Sequence, residues 1–122
     1  MKVLVCGDRN WKDDIKMNQV LRTLQKDIIL IHGDCRGADK MSAQIGKRFG
    51  FKVIAYPANW KVYGKGAGPI RNQQMLDENP DIDLVLAFHN GIEHSKGTKD
   101  MVQRADKKGI KYKLITSKTE LI

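Results

Sequence analysis

The sequence is poor in cysteine: Cys6 and Cys35 are the only two among 122 residues. They show neither zinc-ligand spacing nor a disulfide-framework pattern, so neither a metal site nor a cross-linked secreted scaffold is expected. No apolar run approaches the roughly twenty residues that a membrane helix needs. The amino terminus leads straight into a strand-like stretch where a signal peptide would show a basic then apolar pattern, and a cytoplasmic protein without membrane contact is the expectation. Neither an internal repeat nor a linker interrupts the chain, and its length suits one domain, residues 1–122, around one core. With 41% hydrophobic and 30% charged residues the composition is that of a folded soluble protein and argues against disorder.

Acidic residues are also scarce beside basic ones, 14 against 22, which gives a formal net charge of +8. Such a balance favours an anionic partner, whether nucleotide, nucleic acid or acidic protein. The plainer alternative is a solvated lysine-rich surface, since Lys107, Lys108, Lys111, Lys113 and Lys118 are scattered and not interleaved with aromatics.

What is present is an alternation of short apolar strands and amphipathic helices. Ile28–Ile31 reads as a strand buried on both faces that stops at His32-Gly33. After Gly37, Ala38, Met41, Ile45 and Phe49 recur at helical steps until Gly50. Lys2–Cys6 is a strand ending at Gly7-Asp8-Arg9. Trp11–Lys26 is a helix with Asn10 as its cap, carrying Ile15, Met17, Val20, Leu21 and Leu24. Lys52–Tyr56 is a third strand. Pro57–Gly68 is the longest irregular segment, and a helix follows from Pro69 to Asn79-Pro80. Asp81–Phe88 is the fourth strand, His89–Lys96 a polar loop, Gly97-Thr98 the entry to a helix ending at Gly109, and Tyr112–Thr116 a fifth strand. The fold class expected is α/β, a single Rossmann-like domain of three layers, α/β/α, around a mainly parallel sheet of about five strands.

In such a sheet the turns at Gly7, Gly33 and Gly97 lie on one edge, with helix N-termini and their free N–H groups facing a common cleft suited to phosphate. None of them is a Walker loop or a dinucleotide fingerprint, because the glycine and lysine spacing is wrong. Arg71 and Asn72, in the first turn of their helix, fit a phosphate grip and a ribose or base contact, against a surface arginine paired with Asp77 or Glu78. Asp39 either complements a helix dipole or accepts from a ribose hydroxyl. His32 and His89 end strands on the same edge, as acid or base or as hydrogen-bonded structural groups. Trp11 and Trp60 either stack on a base or pack in the core.

Together, Gly7-Asp8-Arg9, His32–Asp39, Pro57–Trp60, Gly66–Asn72, Asp83–Phe88 and Gly97-Thr98 resemble the small YspA-type branch of the SLOG superfamily over nearly the whole chain. That superfamily also contains the LOG phosphoribohydrolases, the DNA-processing protein DprA, and sensors of ADP-ribose-derived signals. The resemblance implies a nucleotide or nucleotide-derived ligand, no cofactor, and ligand contacts from Gly7, Asp8, Arg9, Trp11, Gly33, Asp34, Arg36, Gly37, Asp39, Asn59, Trp60, Gly68, Arg71, Asn72, Gly97 and Thr98. It also implies a homo-oligomer.

One position departs from the LOG pattern. Those enzymes carry a glutamate three residues after the threonine of their Gly-Thr motif, where this chain has Met101. A thioether neither stabilises an oxocarbenium-like ribose nor activates water. Asp100 projects about 100° away around the helix, so catalysis would draw on Arg71 with Asp100, Asp39 or Glu93. Three functions are therefore expected in competition: a binding module for a nucleotide or ADP-ribose-like molecule, an N-glycosidic hydrolase, and a single-stranded DNA binder. The first carries the expectation that Arg71→Ala weakens binding without unfolding the chain.

Overall fold

A computed structural model describes residues 1–24 and 27–120. Five strands, β1 (Lys2–Gly7), β2 (Ile29–His32), β3 (Lys52–Ala55), β4 (Leu84–Phe88) and β5 (Tyr112–Ile115), form one sheet in the order β3-β2-β1-β4-β5. Every neighbouring pair is parallel. Period-two alternation along β1 explains the layers: Val3 and Val5 pack with Met17, Leu21 and Ile45 on one face, and Leu4 and Cys6 with Met75, Leu76 and Met101 on the other. The first face is covered by α1 (Asp14–Arg22) and α2 (Ala38–Arg48), the second by α4 (Ala67–Glu78) and α5 (Gly97–Lys107). This is the expected Rossmann-like α/β arrangement. Among the described residues no helix is long and apolar enough to cross a membrane.

Two expectations about the helices need correction. Helix α1 begins at Asp14, three residues later than expected, because Asn10 and Trp11 belong to a turn closed on Asp8. The Asn10 N–H meets Asp8 Oδ1 at 2.9 Å and the Trp11 N–H meets the Asp8 carbonyl at 3.1 Å. Asp13 caps the helix instead, its Oδ1 accepting from the Lys16 N–H at 2.9 Å. The helix ends at Arg22, and the expected end at Lys26 lies outside the described residues.

The segment Pro57–Gly68 is largely helical. Asn59 caps a short α3 (Trp60–Tyr63) by accepting from the Val62 N–H at 3.2 Å, and a 3-10 turn over Gly64–Gly66 leads directly into α4. Gly64, at φ 56°, stops α3 in a conformation that other residues rarely adopt. Pro69 is the third residue of α4, within the first turn, where a missing N–H costs no intrahelical bond. A further 3-10 turn, Ile92–His94, occupies the loop after β4, and β4 itself starts only at Leu84 because the chain turns at Asn79, whose carbonyl accepts from the Ile82 N–H at 3.3 Å.

Strand β1 is central, with its crossovers running to β2 on one side and its other side paired to β4. The direction of winding reverses there, so a crevice opens between the carboxyl ends of β1 and β4.

Candidate functional site

At that crevice lies a cleft of about 410 Å³, bounded by the ends of β1, β2 and β4, by the first turn of α5, and by Arg71, Asn72 and Met75 of α4. The sequence places Arg71 and Asn72 in the first turn of their helix; they sit beyond it because α4 starts already at Ala67. Its floor depends on missing side chains. A Cβ at Gly7 would run into the Phe88 carbonyl oxygen and lie 2.7 Å from Ala38 Cβ; one at Gly37, where φ is 78°, would lie 2.5 Å from the Arg9 carbonyl carbon. Backbone bonds fix this close approach: Asp8 N–H to the Phe88 carbonyl at 2.8 Å, and Ala38 N–H to the Asp8 carbonyl at 3.0 Å. The first N–H of α2, expected to be free for an anion, is therefore taken up by the neighbouring turn.

Asp39 organises the β2–α2 turn. Its buried Oδ2 accepts from the N–H groups of Gly33 at 3.1 Å and Cys35 at 3.2 Å. Burial pushes its pKa up to about 6, against the opposing pull of the Cys35 N–H, the Arg71 charge and the Gly33 N–H. Burial likewise raises the Cys6 thiol, with the Asp39 charge adding to it, so Cys6 stays protonated and unreactive.

Arg71 is 8% exposed and bonded mostly inward. A guanidinium has five N–H groups. Nε donates to Asn72 Oδ1 at 3.1 Å, Nη1 donates to the Gly33 carbonyl and, at 3.3 Å, to the Tyr56 carbonyl, and Nη2 meets Cys35 Sγ at 3.8 Å. One Nη2 N–H is left over for the cleft. A bidentate phosphate grip is thereby replaced by a buttress that holds the β2 and β3 ends to α4. Gly33 is small for the same reason, since a Cβ there would lie 2.5 Å from Arg71 Nη1.

Asn72 continues the chain of bonds, its Nδ2 donating to Asp100 Oδ2 at 3.0 Å and to the Gly97 carbonyl at 3.3 Å. The same Asp100 oxygen accepts from Arg104 Nε at 2.8 Å, and Arg104 Nη1 reaches Gln73 Oε1 at 2.8 Å. Asp100 thus belongs to the α4–α5 seam, outside the cleft lining, and reaches the cleft through Asn72. Glu93 is exposed beside His94 and also lies outside the lining, while Met101 is fully buried.

The two strand-ending histidines share one device. His32 Nδ1 accepts from the Asp34 N–H and His89 Nδ1 from the Gly91 N–H, both at 2.9 Å. A neutral ring so held carries its proton on Nε2. Burial draws the His32 pKa down, which keeps it neutral and structural; His89 lines the cleft.

Of the residues singled out from sequence, Gly7, Asp8, Arg9, Gly33, Arg36, Asp39, Arg71, Asn72, Gly97 and Thr98 line this cleft. Asp34 and Trp60 line an adjoining hollow. Trp11 does neither: it is 3% exposed and packs edge-on against Phe88, centroids 5.5 Å apart, so no face remains for a base. Asn59 is taken up as the α3 cap, Gly68 sits inside α4 with Trp60 Cη2 3.6 Å from its would-be Cβ, and Gly37 supports the floor from behind. Cys6 and Met75 line the cleft from the core, and Asn10, Cys35, Ser95 and Lys96, which the sequence does not mark as contacts, line it from the turns. The signal for the turn residues was adjacency, because each sits within or directly beside a turn already marked by glycine.

The lining carries four cations, Arg9, Arg36, Arg71 and Lys96, against the two carboxyls of Asp8 and Asp39, a basic excess around the cleft. At the far wall Ser95 Oγ accepts from the Thr98 N–H at 3.0 Å, capping the start of α5. Among the described residues no three His, Cys, Asp or Glu side chains group closely enough to hold a metal ion.

Comparison with known proteins adds three findings. Residues 1–63 match the model of the YspA, cpYpsA-related SLOG family. The Gene 61 protein of Mycobacterium phage D29 is 33% identical over 119 residues, an alignment covering 89% of this chain and 91% of that protein. The X-ray structure of DNA processing protein A (DprA) from Streptococcus pneumoniae superposes with a TM-score of 0.75 at 16% identity, over 93% of this chain and 49% of that one. The chain thus spans about half the length of that DprA chain, and the likeness is one of fold.

Proposed function

Because the chain belongs to the YspA, cpYpsA-related SLOG family, we propose that residues 1–122 form one unit that binds a nucleotide or nucleotide-derived phosphate in the cleft at the carboxyl ends of its strands, as a sensor, sequestering protein or processing factor. The observation that carries this reading is the basic excess of Arg9, Arg36, Arg71 and Lys96 over a glycine floor at the switch point of a parallel sheet. In it Arg36 and Lys96 take the phosphate, with the remaining Arg71 N–H and the entry to α5 at Gly97 and Thr98, while Arg9 adds its charge at the rim. The second Asp39 oxygen accepts from ribose. The test incubates the protein with nucleotides, ADP-ribose and cyclic ADP-ribose variants, and then analyses bound and free fractions by mass spectrometry. Recovery of one compound intact on the protein supports the reading; an empty bound fraction across the panel overturns it.

Arg36 is exposed, so Arg36→Glu spares the core while reversing a charge at the cleft wall. The expected result is a loss of at least about tenfold in affinity for ADP, equivalent to about 1.4 kcal/mol, with an unchanged melting temperature. Unaltered affinity by titration calorimetry removes Arg36 from the site.

One observation favours a second reading, N-glycosidic hydrolysis of a nucleoside phosphate. Asp39 is a buried carboxyl in the cleft whose pKa near 6 suits proton transfer close to neutrality. Release of free base in the same assay, lost in Asp39→Asn, would establish it. Oligonucleotide binding is the third arm, recognised by affinity that falls steeply with salt. Self-association, which the family resemblance implies, is read from sedimentation.

A further inference from the structure

Beside the cleft and continuous with it is a hollow of about 440 Å³, and the two share walls at Arg9, Gly33, Cys35, Arg36 and Arg71. Its outer wall is Trp60, a large apolar side chain left 48% exposed. Burying an indole is strongly favourable, so one held open at the rim of a polar cavity is a candidate platform for a planar group. One edge of Trp60 lies over Gly68 of α4, where a Cβ would come within 3.6 Å of its Cη2. Over the ring lies Arg9, its Cζ 5.9 Å from the centroid.

That separation is informative. Atoms in stacking contact lie about 3.5–4 Å apart, and a planar group sandwiched between two others needs about 7 Å. At 5.9 Å from the centroid the guanidinium lies over the ring without closing on it, and it must move outward to admit an aromatic ring. Arg9 is exposed, so its side chain can supply that movement without disturbing the core.

We propose that this hollow is a base subsite: the heterocycle of the ligand slides between the Trp60 ring and the Arg9 guanidinium while its phosphates pass over Arg36 into the cleft. The inference rests on the nucleotide reading above and narrows it to ligands that carry an aromatic base. Asp34 is the one carboxylate lining the hollow among the described residues, and Lys40 Nζ lies 3.9 Å from its Oδ1. A carboxylate accepts from an exocyclic amino group, so the hollow favours amino-bearing bases such as adenine.

The test compares ADP with pyrophosphate and ribose 5-phosphate, which lack a base. Trp11 is buried and Trp60 exposed, so a ligand-dependent change in tryptophan emission reports Trp60. The expected result is quenching by ADP and none by pyrophosphate. Base stacking on an aromatic is worth enough that Trp60→Ala should lose about tenfold or more in ADP affinity, Trp60→Phe should recover most of it, and the affinity for pyrophosphate should stay within about twofold. ADP binding equally well to wild type and Trp60→Ala, or ADP binding without quenching, overturns the base subsite and leaves the nucleotide reading standing. Failure of all three compounds to bind wild-type protein overturns the nucleotide reading, and the subsite with it.

Discussion

Replacing Arg71 with Ala is expected to lower the unfolding free energy by about 2–4 kcal/mol and to abolish ADP binding. The guanidinium is almost fully buried, and it satisfies the Gly33 and Tyr56 carbonyls and Asn72 Oδ1. Truncation leaves those acceptors in a site from which water is largely excluded, each at a cost of about 1–3 kcal/mol before relaxation, and opens a cavity beside Cys35. Read from sequence alone, Arg71 is a ligand contact whose loss spares the fold; its bonding makes it a structural tie first. Arg71→Lys should restore little, because an ammonium on a flexible stem cannot reach three acceptors in the fork geometry. Urea titrations followed by circular dichroism measure the effect, and a midpoint for Arg71→Ala equal to that of wild type would contradict it.

Asp39→Asn is expected to reshape the dependence of stability on pH. The folded carboxyl, at about 6, titrates well above the unfolded value of 3.8. Between those two values the native state holds a proton that the unfolded state has released, so raising the pH destabilises the fold. The contribution is fully present below about pH 3.8 and is lost as pH rises through 6, and in total it reaches up to about 3 kcal/mol. Asparagine cannot ionise, and its Oδ1 can accept the Gly33 and Cys35 N–H groups that Asp39 Oδ2 accepts. The two proteins should therefore match near pH 4, with the variant ahead by about 2–3 kcal/mol at pH 7.5. Urea unfolding at half-unit pH steps measures the difference, and parallel curves would show that Asp39 does not carry the proton. The same substitution should weaken ADP binding, since with Oδ1 held by the Gly33 and Cys35 N–H groups an amide NH2 stands where the second Asp39 oxygen accepts from ribose.

How much of this was legible in the sequence depended on the range of the deciding interaction. The strands could be read because Val3–Val5, Leu30–Ile31 and Leu84–Phe88 are buried on both faces, and such strands are written as unbroken apolar runs. The cleft turns could be read because Gly7, Gly33 and Gly37 mark close approaches. Asn10 and Asp13 are equally good caps by residue type, and only the turn that closes on Asp8 decides between them. Helix α3 spans four residues among glycines, too few to show a helical period. The two tryptophans are the same residue with opposite fates: Trp11 meets Phe88 at the end of a strand far along the chain, whereas Trp60, with Arg9 over its ring, stays 48% exposed. The sequence marks Arg71 but not its tie to the turn after β2, because the Gly33 carbonyl that accepts from it lies 38 positions away.

The central place of β1 also bears on how the chain emerges during synthesis. Val3 pairs with Leu30 on one side and Leu84 on the other, so its second pairing closes a loop about three times as long, an added entropic cost of about 1 kcal/mol. Until Leu84–Phe88 has left the ribosome, the nascent half-sheet of β1, β2 and β3 presents one flank of β1 as an unpaired apolar edge, the kind of template on which chains aggregate. That flank is the one whose end later borders the cleft, so the backbone that defines the binding crevice in the finished protein is also its point of greatest exposure during translation.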